Sequence, residues 1–249
     1  MNQLLITKLR QIEMVIARGF TVDEYEKKLL ELKDPENNFK NTYEYFKELY
    51  IIPNNHNFLF TQAGQNISSI RIKLCNFYER EVKNKNDNKY LLVYYASDIN
   101  MQFSKDLNTL YIKEALNNIK RYIKTFLENN PNLKEDDIDV IVISPLNISN
   151  ESNNNILGQI KNISIFYDNK LLNNPTEHKY YNTHIKLDDE EKYNVLKQAG
   201  VKLTKTTVIR RDDPIARWFG YKPGDLIKII REATIVNIGT TSIQYRHCA

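Results

Sequence analysis

RDDPIARWFGYKPGDLIKIIR, running from Arg211 to Arg231, contains in order the parts of a short helix, a tight turn and a buried strand. Asp212 or Asp213 is placed to cap a helix whose first turn holds Pro214, where a missing N–H costs nothing, and Gly220 follows as a left-handed stop. A helix of barely two turns does not hold together by propensity, so Ile215, Trp218 and Phe219 must pack against something else. Burying each of them contributes about 1.5–3 kcal/mol. Lys222-Pro223-Gly224-Asp225 has Pro second and Gly third, as a type II turn requires. The strand after it sends Leu226, Lys228 and Ile230 to one side and Ile227, Ile229 and Arg231 to the other, so both faces are at least partly covered. A polar connection at 234–241 leads to Ser242–Arg246, a second alternating run and the expected antiparallel neighbour.

Outward from this stretch, Leu171-Leu172-Asn173-Asn174-Pro175-Thr176-Glu177-His178, then His184 and the acidic helix start at Asp189, extend the pattern. Together with Asp213-Pro214, Arg217, Phe219-Gly220, the Lys222–Asp225 turn, the strand ending at Arg231 and Tyr245-Arg246, it resembles the C-terminal assembly domain of one small RNA polymerase subunit. That subunit is the fifth-largest one shared by the eukaryotic nuclear polymerases, and it has a short archaeal counterpart. The N-terminal part is similar only in layout, with a helix ending at Arg18-Gly19-Phe20 and another starting at Thr21.

The resemblance implies a non-catalytic subunit of a multisubunit DNA-directed RNA polymerase, with no cofactor and no metal of its own. Its C-terminal domain would dock on the largest subunit, and its N-terminal domain would form part of the jaw, meeting downstream duplex DNA only within the complex. The docking surface is expected around Arg217, Trp218, Tyr221 and Lys222, internal packing being the competing reading for Trp218. Asp213, Pro214, Gly220, Pro223, Gly224, Tyr245 and Arg246 are expected to shape the motif itself.

Composition bounds the answer independently. At 249 residues the chain can hold two domains or one large one, and 41% hydrophobic with 11% aromatic residues is ample for real cores. It has no run of about 18 apolar residues for a membrane span, and its first residues lack the features of a secretory signal. Two cysteines, Cys75 and Cys248, make no disulfide framework and suit a reducing compartment. From Glu177 onward there are 13 Lys and Arg against 9 Asp and Glu, while the preceding residues carry 22 of each, so the net charge of +4 lies in the C-terminal part. An excess this small disfavours free-standing DNA binding.

The expected organisation is an α/β N-terminal domain over 1–172, a mixed sheet flanked by helices; a hinge at 173–178; and a small α+β assembly domain over 179–249. Leu5, Leu9, Ile12 and Ile16 recur at helical spacing up to Gly19. Thr21 with Glu24 suggests a capping box for a helix bearing Val22, Tyr25, Leu29 and Leu32 and stopped by Asp34-Pro35. A third helical stretch carries Tyr43, Phe46 and Leu49. Phe58–Phe60 suggests a brief strand, and Ile67, Ile70, Leu74 and Phe77 suggest a helix. Strands are expected at Tyr90–Ala96, Ile138–Ile143 and Ile160–Tyr167, with a long helix from Ser104 to Pro131. Such alternation argues for a covered, mainly parallel or mixed sheet. Asn147–Asn155 is a polar loop, and Asp188 or Asp189 caps a helix that Gly200 terminates.

No Gly-rich phosphate loop follows any strand, Gln62-Ala63-Gly64-Gln65 being too weak to count, and the chain has 7 glycines in all. Asp136-Asp137 and Asp212-Asp213 are explained by capping and solvation. His56 stands apart, and His178, His184, His247 and Cys248 lack the paired spacing of a zinc site. Two other readings are a metal-dependent nuclease-like protein, for which Asp139 with Lys134 or Glu135 is the nearest constellation, and a free-standing scaffold reusing the assembly fold. No small-molecule ligand is expected. Abundant Asn, Lys, Ile and Tyr suit an AT-rich genome, that of a large DNA virus or of a protist. The expected location is intracellular: virions or cytoplasmic factories in the first case, the nucleus in the second.

Overall fold

A computed structural model describes residues 3–33, 39–51, 70–80, 89–96, 105–145, 159–160, 162–231 and 241–249. The expected strand at Phe58–Phe60, the stop at Asp34-Pro35, His56, Gln62–Gln65, Ile67, the Asn147–Asn155 loop and the 234–240 connection lie outside them. The chain divides into two compact units, Met1–Leu172 and Asn173–Ala249.

In the first unit, helices α1 (Gln3–Ala17), α2 (Glu24–Glu31) and α3 (Lys40–Phe46) lead through a π-helical turn at Lys47–Ile51. The short α4 (Ile70–Lys73) precedes strands β1 (Asn76–Glu79) and β2 (Tyr90–Tyr95). The long α5 (Lys105–Asn129) connects β2 to β3 (Ile138–Ser144), and β4 (Ile163–Tyr167) follows. The sheet order is β1-β2-β3-β4, with β1 antiparallel to β2 and the other pairs parallel. It is a mixed sheet, and alternation along each strand assigns its two faces to different helices. Phe77 stacks on Phe126 of α5 at 4.1 Å, and Tyr94 meets Tyr122 of the same helix at 5.9 Å. On the opposite face, Tyr78 and Tyr95 both reach Gln11 of α1.

Several details depart from the periodicity reading. Ile16 is exposed, and α1 buries Met14 and Val15 alongside Leu5, Leu9 and Ile12. The N-cap of α2 is Asp23, whose carboxylate accepts from the Glu26 N–H, while Thr21 is tied by backbone and hydroxyl to the Glu79 carbonyl of β1. Tyr25 is exposed, and Glu26 takes the buried place beside Leu29. Phe77 belongs to a strand, because α4 ends at Lys73.

Among the described residues, two buried ion pairs hold elements of this unit together. Lys8 Nζ lies 2.7 Å from Glu26 Oε1 and also donates to Gln11 Oε1 at 2.8 Å, while the Tyr78 hydroxyl donates to the same Glu26 oxygen at 2.7 Å. The burial that encloses this network pushes the Tyr78 hydroxyl well above its usual range. Arg71 of α4 forms a fork with Asp168, at 2.6 and 3.0 Å, and donates to the Ile143 and Ala96 carbonyls. One guanidinium thereby ties together the C-terminal ends of β2, β3 and β4. Beside it, burial pushes the Cys75 thiol up to about 12.

The second unit opens with a 3-10 turn at Pro175–Glu177, capped by Asn174, whose side chain accepts from the Thr176 N–H. Strand β5 (Thr183–Lys186), helix α6 (Asp189–Ala199), strand β6 (Thr207–Ile209), helix α7 (Pro214–Phe219) and strands β7 (Leu226–Arg231) and β8 (Ser242–Cys248) follow. The sheet order is β5-β7-β8-β6, with β7 antiparallel to both β5 and β8 and β6 parallel to β8. Asp188 caps α6 through a capping box with Glu191, and Gly200 ends it in the left-handed conformation.

Candidate docking surface

Along Arg211–Arg231, the local chemistry is satisfied piece by piece. Between the two candidate caps, Asp213 holds the N-terminus of α7: its Oδ1 accepts from the N–H groups of Ile215 and Ala216 at 2.8 and 3.4 Å. Asp212 instead pairs with Arg210 at 2.8 Å on the surface. Pro214 occupies the first turn and Gly220, at φ 69°, the left-handed C-cap. Gly224, at φ 91°, sits at the third position of the next turn, where the Asp225 N–H donates to the Lys222 carbonyl at 3.0 Å.

That turn is a junction of the unit. The Gly224 N–H donates to the Cys248 carbonyl and the Cys248 N–H to the Asp225 carbonyl, both at 2.9 Å, which fastens it to the end of β8. Lys192 of α6 donates to the Gly224 carbonyl at 2.8 Å, and Lys186 of β5 lies 3.3 Å from Asp225 Oδ1. The Asp225 side chain also accepts from the Lys222 N–H at 2.8 Å. Pro223 itself is exposed.

Of the four residues expected at a docking surface, two are turned inward. Trp218 is 2% exposed and Tyr221 6%, while Arg217 and Lys222 are half-buried. Tyr221 stacks on Phe219 at 5.6 Å and joins a core of Ile209, Ala216, Ile227, Ile229 and Cys248. A short helix has to bury its apolar side to persist, so for Trp218 internal packing is the reading the structure follows. Tyr245 lies opposite Lys228, and Arg246 lies between Ile227 and Thr207 in the sheet register.

The remaining titratable candidates are dispersed. His178 is exposed, His184 Nδ1 lies 2.6 Å from the Asn182 carbonyl, and His247 Nδ1 lies 2.9 Å from the Thr206 hydroxyl. Burial lowers the affinity of His184 for a proton, and Arg246 and Arg231 add to that, partly offset by the Asn182 carbonyl and Asp213. Among the described residues no three His, Cys, Asp or Glu side chains gather as a metal ion would need. Asp137 closes a 3-10 turn by accepting from the Lys134 N–H at 2.8 Å, and Asp139 stands opposite Leu91 within the sheet.

Sequence reasoning missed where the apolar exposure lies. Among the described residues, Tyr180, Ile185, Tyr193, Val201, Val208 and Ile243 of the second unit are exposed, against Ile16 and Tyr25 of the first. Ile185 and Val208 lie on β5 and β6, runs of four and three residues too short to announce themselves as strands. Their alternation was the available signal, weakened by its brevity.

Residues 173–248 match the family described as RNA polymerase Rpb5, C-terminal domain. The chain is 41% identical over 66 residues to DNA-directed RNA polymerase subunit Rpo5 of Sulfurisphaera tokodaii, which is 26% of this chain and 79% of that protein. It is 36% identical over 72 residues to subunit Rpo5 of Sulfolobus acidocaldarius, 29% of this chain and 82% of the relative. A DNA-directed RNA polymerase subunit 5-like protein of Arabidopsis thaliana is 37% identical over 75 residues, 30% of this chain and 36% of the plant protein. The protein belongs to the Rpb5/Rpo5 family of RNA polymerase subunits through this C-terminal region.

Proposed function

We propose that this protein is a non-catalytic subunit of a multisubunit DNA-directed RNA polymerase, held in the enzyme by its C-terminal unit. The observation that carries the reading is the share of the archaeal relatives that is matched. At 79% and 82% of their length, those named polymerase subunits correspond to little more than this one unit. The finer reading is that the C-terminal unit docks on the largest subunit and that the first unit, a mixed sheet covered by helices, forms part of the jaw beside downstream DNA. Duplex DNA would then be met only in the assembled enzyme, in keeping with the modest +4 charge of the whole chain. The protein would work where its polymerase works: virions or cytoplasmic factories for a virus-encoded enzyme, the nucleus for a cellular one.

The test is purification of the tagged full chain from its native source, with mass spectrometry of what accompanies it at stoichiometric amounts. Recovery of the two large polymerase subunits is expected. A folded chain recovered alone would end the proposal.

A further inference from the structure

The face of the second sheet that packs against α7 is not apolar throughout. Along β7 that face carries Ile227, Ile229 and Arg231, which stand opposite Arg246, Gln244 and Ser242 of β8. Ile227 and Ile229 belong to the buried cluster with Ala216 of α7, whereas Gln244 and Arg246 are half-buried and Arg231 is exposed. In the same row as Gln244, across Ile229, stands the half-buried His184 of β5. Three neighbouring strands thereby bring two guanidiniums and an imidazole to one margin of the core.

The polar groups there are out of balance. Arg231 Nη2 and Arg246 Nη2 donate to the same Gln244 Oε1, at 3.1 and 3.3 Å. Neither arginine has a carboxylate partner among the described residues, and Arg246 Nε is buried without a hydrogen-bond partner. A guanidinium has five donors and no acceptor, so one neutral carbonyl oxygen leaves most of the pair's capacity unused. Two cations drawn to one oxygen also repel each other, and an unmet buried donor is costly. His184 Nδ1 is taken by the Asn182 carbonyl, which leaves Nε2 for another partner. Asp213, the carboxylate that His184 senses, is engaged in capping α7.

We infer that Arg231, Arg246 and His184 form a binding site for a phosphate-class oxyanion, an assignment that stands independently of the polymerase reading. Paired guanidinium N–H groups match the oxygens of such an anion. The number of donor groups selects the class. Three groups on three strands call for three or more acceptor oxygens, which a tetrahedral oxyanion has and a carboxylate, with two, has not. His184 contributes a second donor only as the imidazolium. Burial foremost, with Arg246 and Arg231, disfavours that form, against the Asn182 carbonyl and Asp213. Tyr181, stacked on the ring at 5.6 Å, is its other titratable neighbour. An anion among these groups favours the charged ring and raises its affinity for a proton.

The experiment is an NMR titration of the full chain that follows the His184 ring protons, assigned with His184→Gln, as inorganic phosphate, sulfate or acetate replaces chloride at constant ionic strength. Phosphate and sulfate should give saturable shifts, and acetate should not. Sulfate keeps its charge between about pH 5 and pH 8, where histidine titrates, so saturating sulfate should raise the pH midpoint of the His184 resonance. Arg231→Gln and Arg246→Gln should each weaken sulfate binding about tenfold or more, as loss of a charge-assisted hydrogen bond does. Arg210→Gln, at an arginine paired with Asp212 on the surface, should bind as the wild type does. Arg246 is half-buried, so the exposed Arg231 decides the matter if the Arg246 variant fails to fold. No saturable shift with phosphate or sulfate would overturn the inference, as would folded arginine variants that bind sulfate at wild-type strength. Acetate binding as tightly as phosphate would overturn the ligand class, and a His184 midpoint unmoved by saturating sulfate would overturn the three-residue site.

Discussion

Asp213 shows how one carboxylate can set a local structure. It satisfies two of the donors that a helix start leaves open, and α7 is too short to tolerate their loss. Asp213→Ala should cost about 1 kcal/mol. The chain's single tryptophan, Trp218, is buried on this helix and reports the change directly through its fluorescence during unfolding. An unchanged midpoint would contradict the capping role. His184 offers a second residue-scale test. Because burial depresses its folded-state pKa below the ordinary value, its neutral form contributes stability that is fully present above about pH 6.5 and is lost as pH falls through the folded-state pKa. The melting temperature should therefore decline from about pH 6.5 downward, and His184→Gln should flatten that decline. A wild-type profile already flat between about pH 7 and pH 5 would contradict this.

At the scale of elements, the first unit is locked by side chains that bridge helices and strands. Lys8 and Glu26 join α1 to α2, and Tyr78 brings in β1. Removing one partner leaves a buried charge uncompensated, so Lys8→Met should cost about 3–5 kcal/mol. Pairing it with Glu26→Leu should restore much of the loss, because no charge is then stranded. Chemical denaturation of the two singles and the double checks this, and a double variant as unstable as the sum of the singles would contradict it. In the second unit the corresponding lock is backbone. The Lys222–Asp225 turn is fastened to β8 by two main-chain bonds and approached by lysines of α6 and β5.

At the scale of the molecule, each unit buries its own apolar residues, and the second includes a cluster drawn from residues between Ile209 and Cys248. Residues 173–249 expressed alone should fold with a cooperative thermal transition and a far-UV spectrum of mixed helix and strand. A fragment without such a transition would show that this core is not sufficient. The expectation agrees with archaeal relatives in which the matched region makes up most of the protein.

Much of the second unit was legible because its decisive chemistry is local. A cap, a first-turn proline, a left-handed glycine and a Pro-Gly turn act within a few residues of chain, so the order of letters from Arg211 to Arg231 already specified helix, turn and strand. The alternation of strands with helices likewise announced a mixed α/β unit, and the long helix before Pro131 was plain from its spacing. Tertiary structure decided what depends on distant partners. The burial of Lys8 and Glu26, the clamp of Arg71 on three strand ends, the addition of β5 and β6 to the sheet and the inward turn of Trp218 all follow from contacts between residues far apart in sequence. Local propensity carries no record of which side of a strand another element will cover. The open face bearing Ile185, Val208 and Ile243 therefore emerged only once the strands were in register.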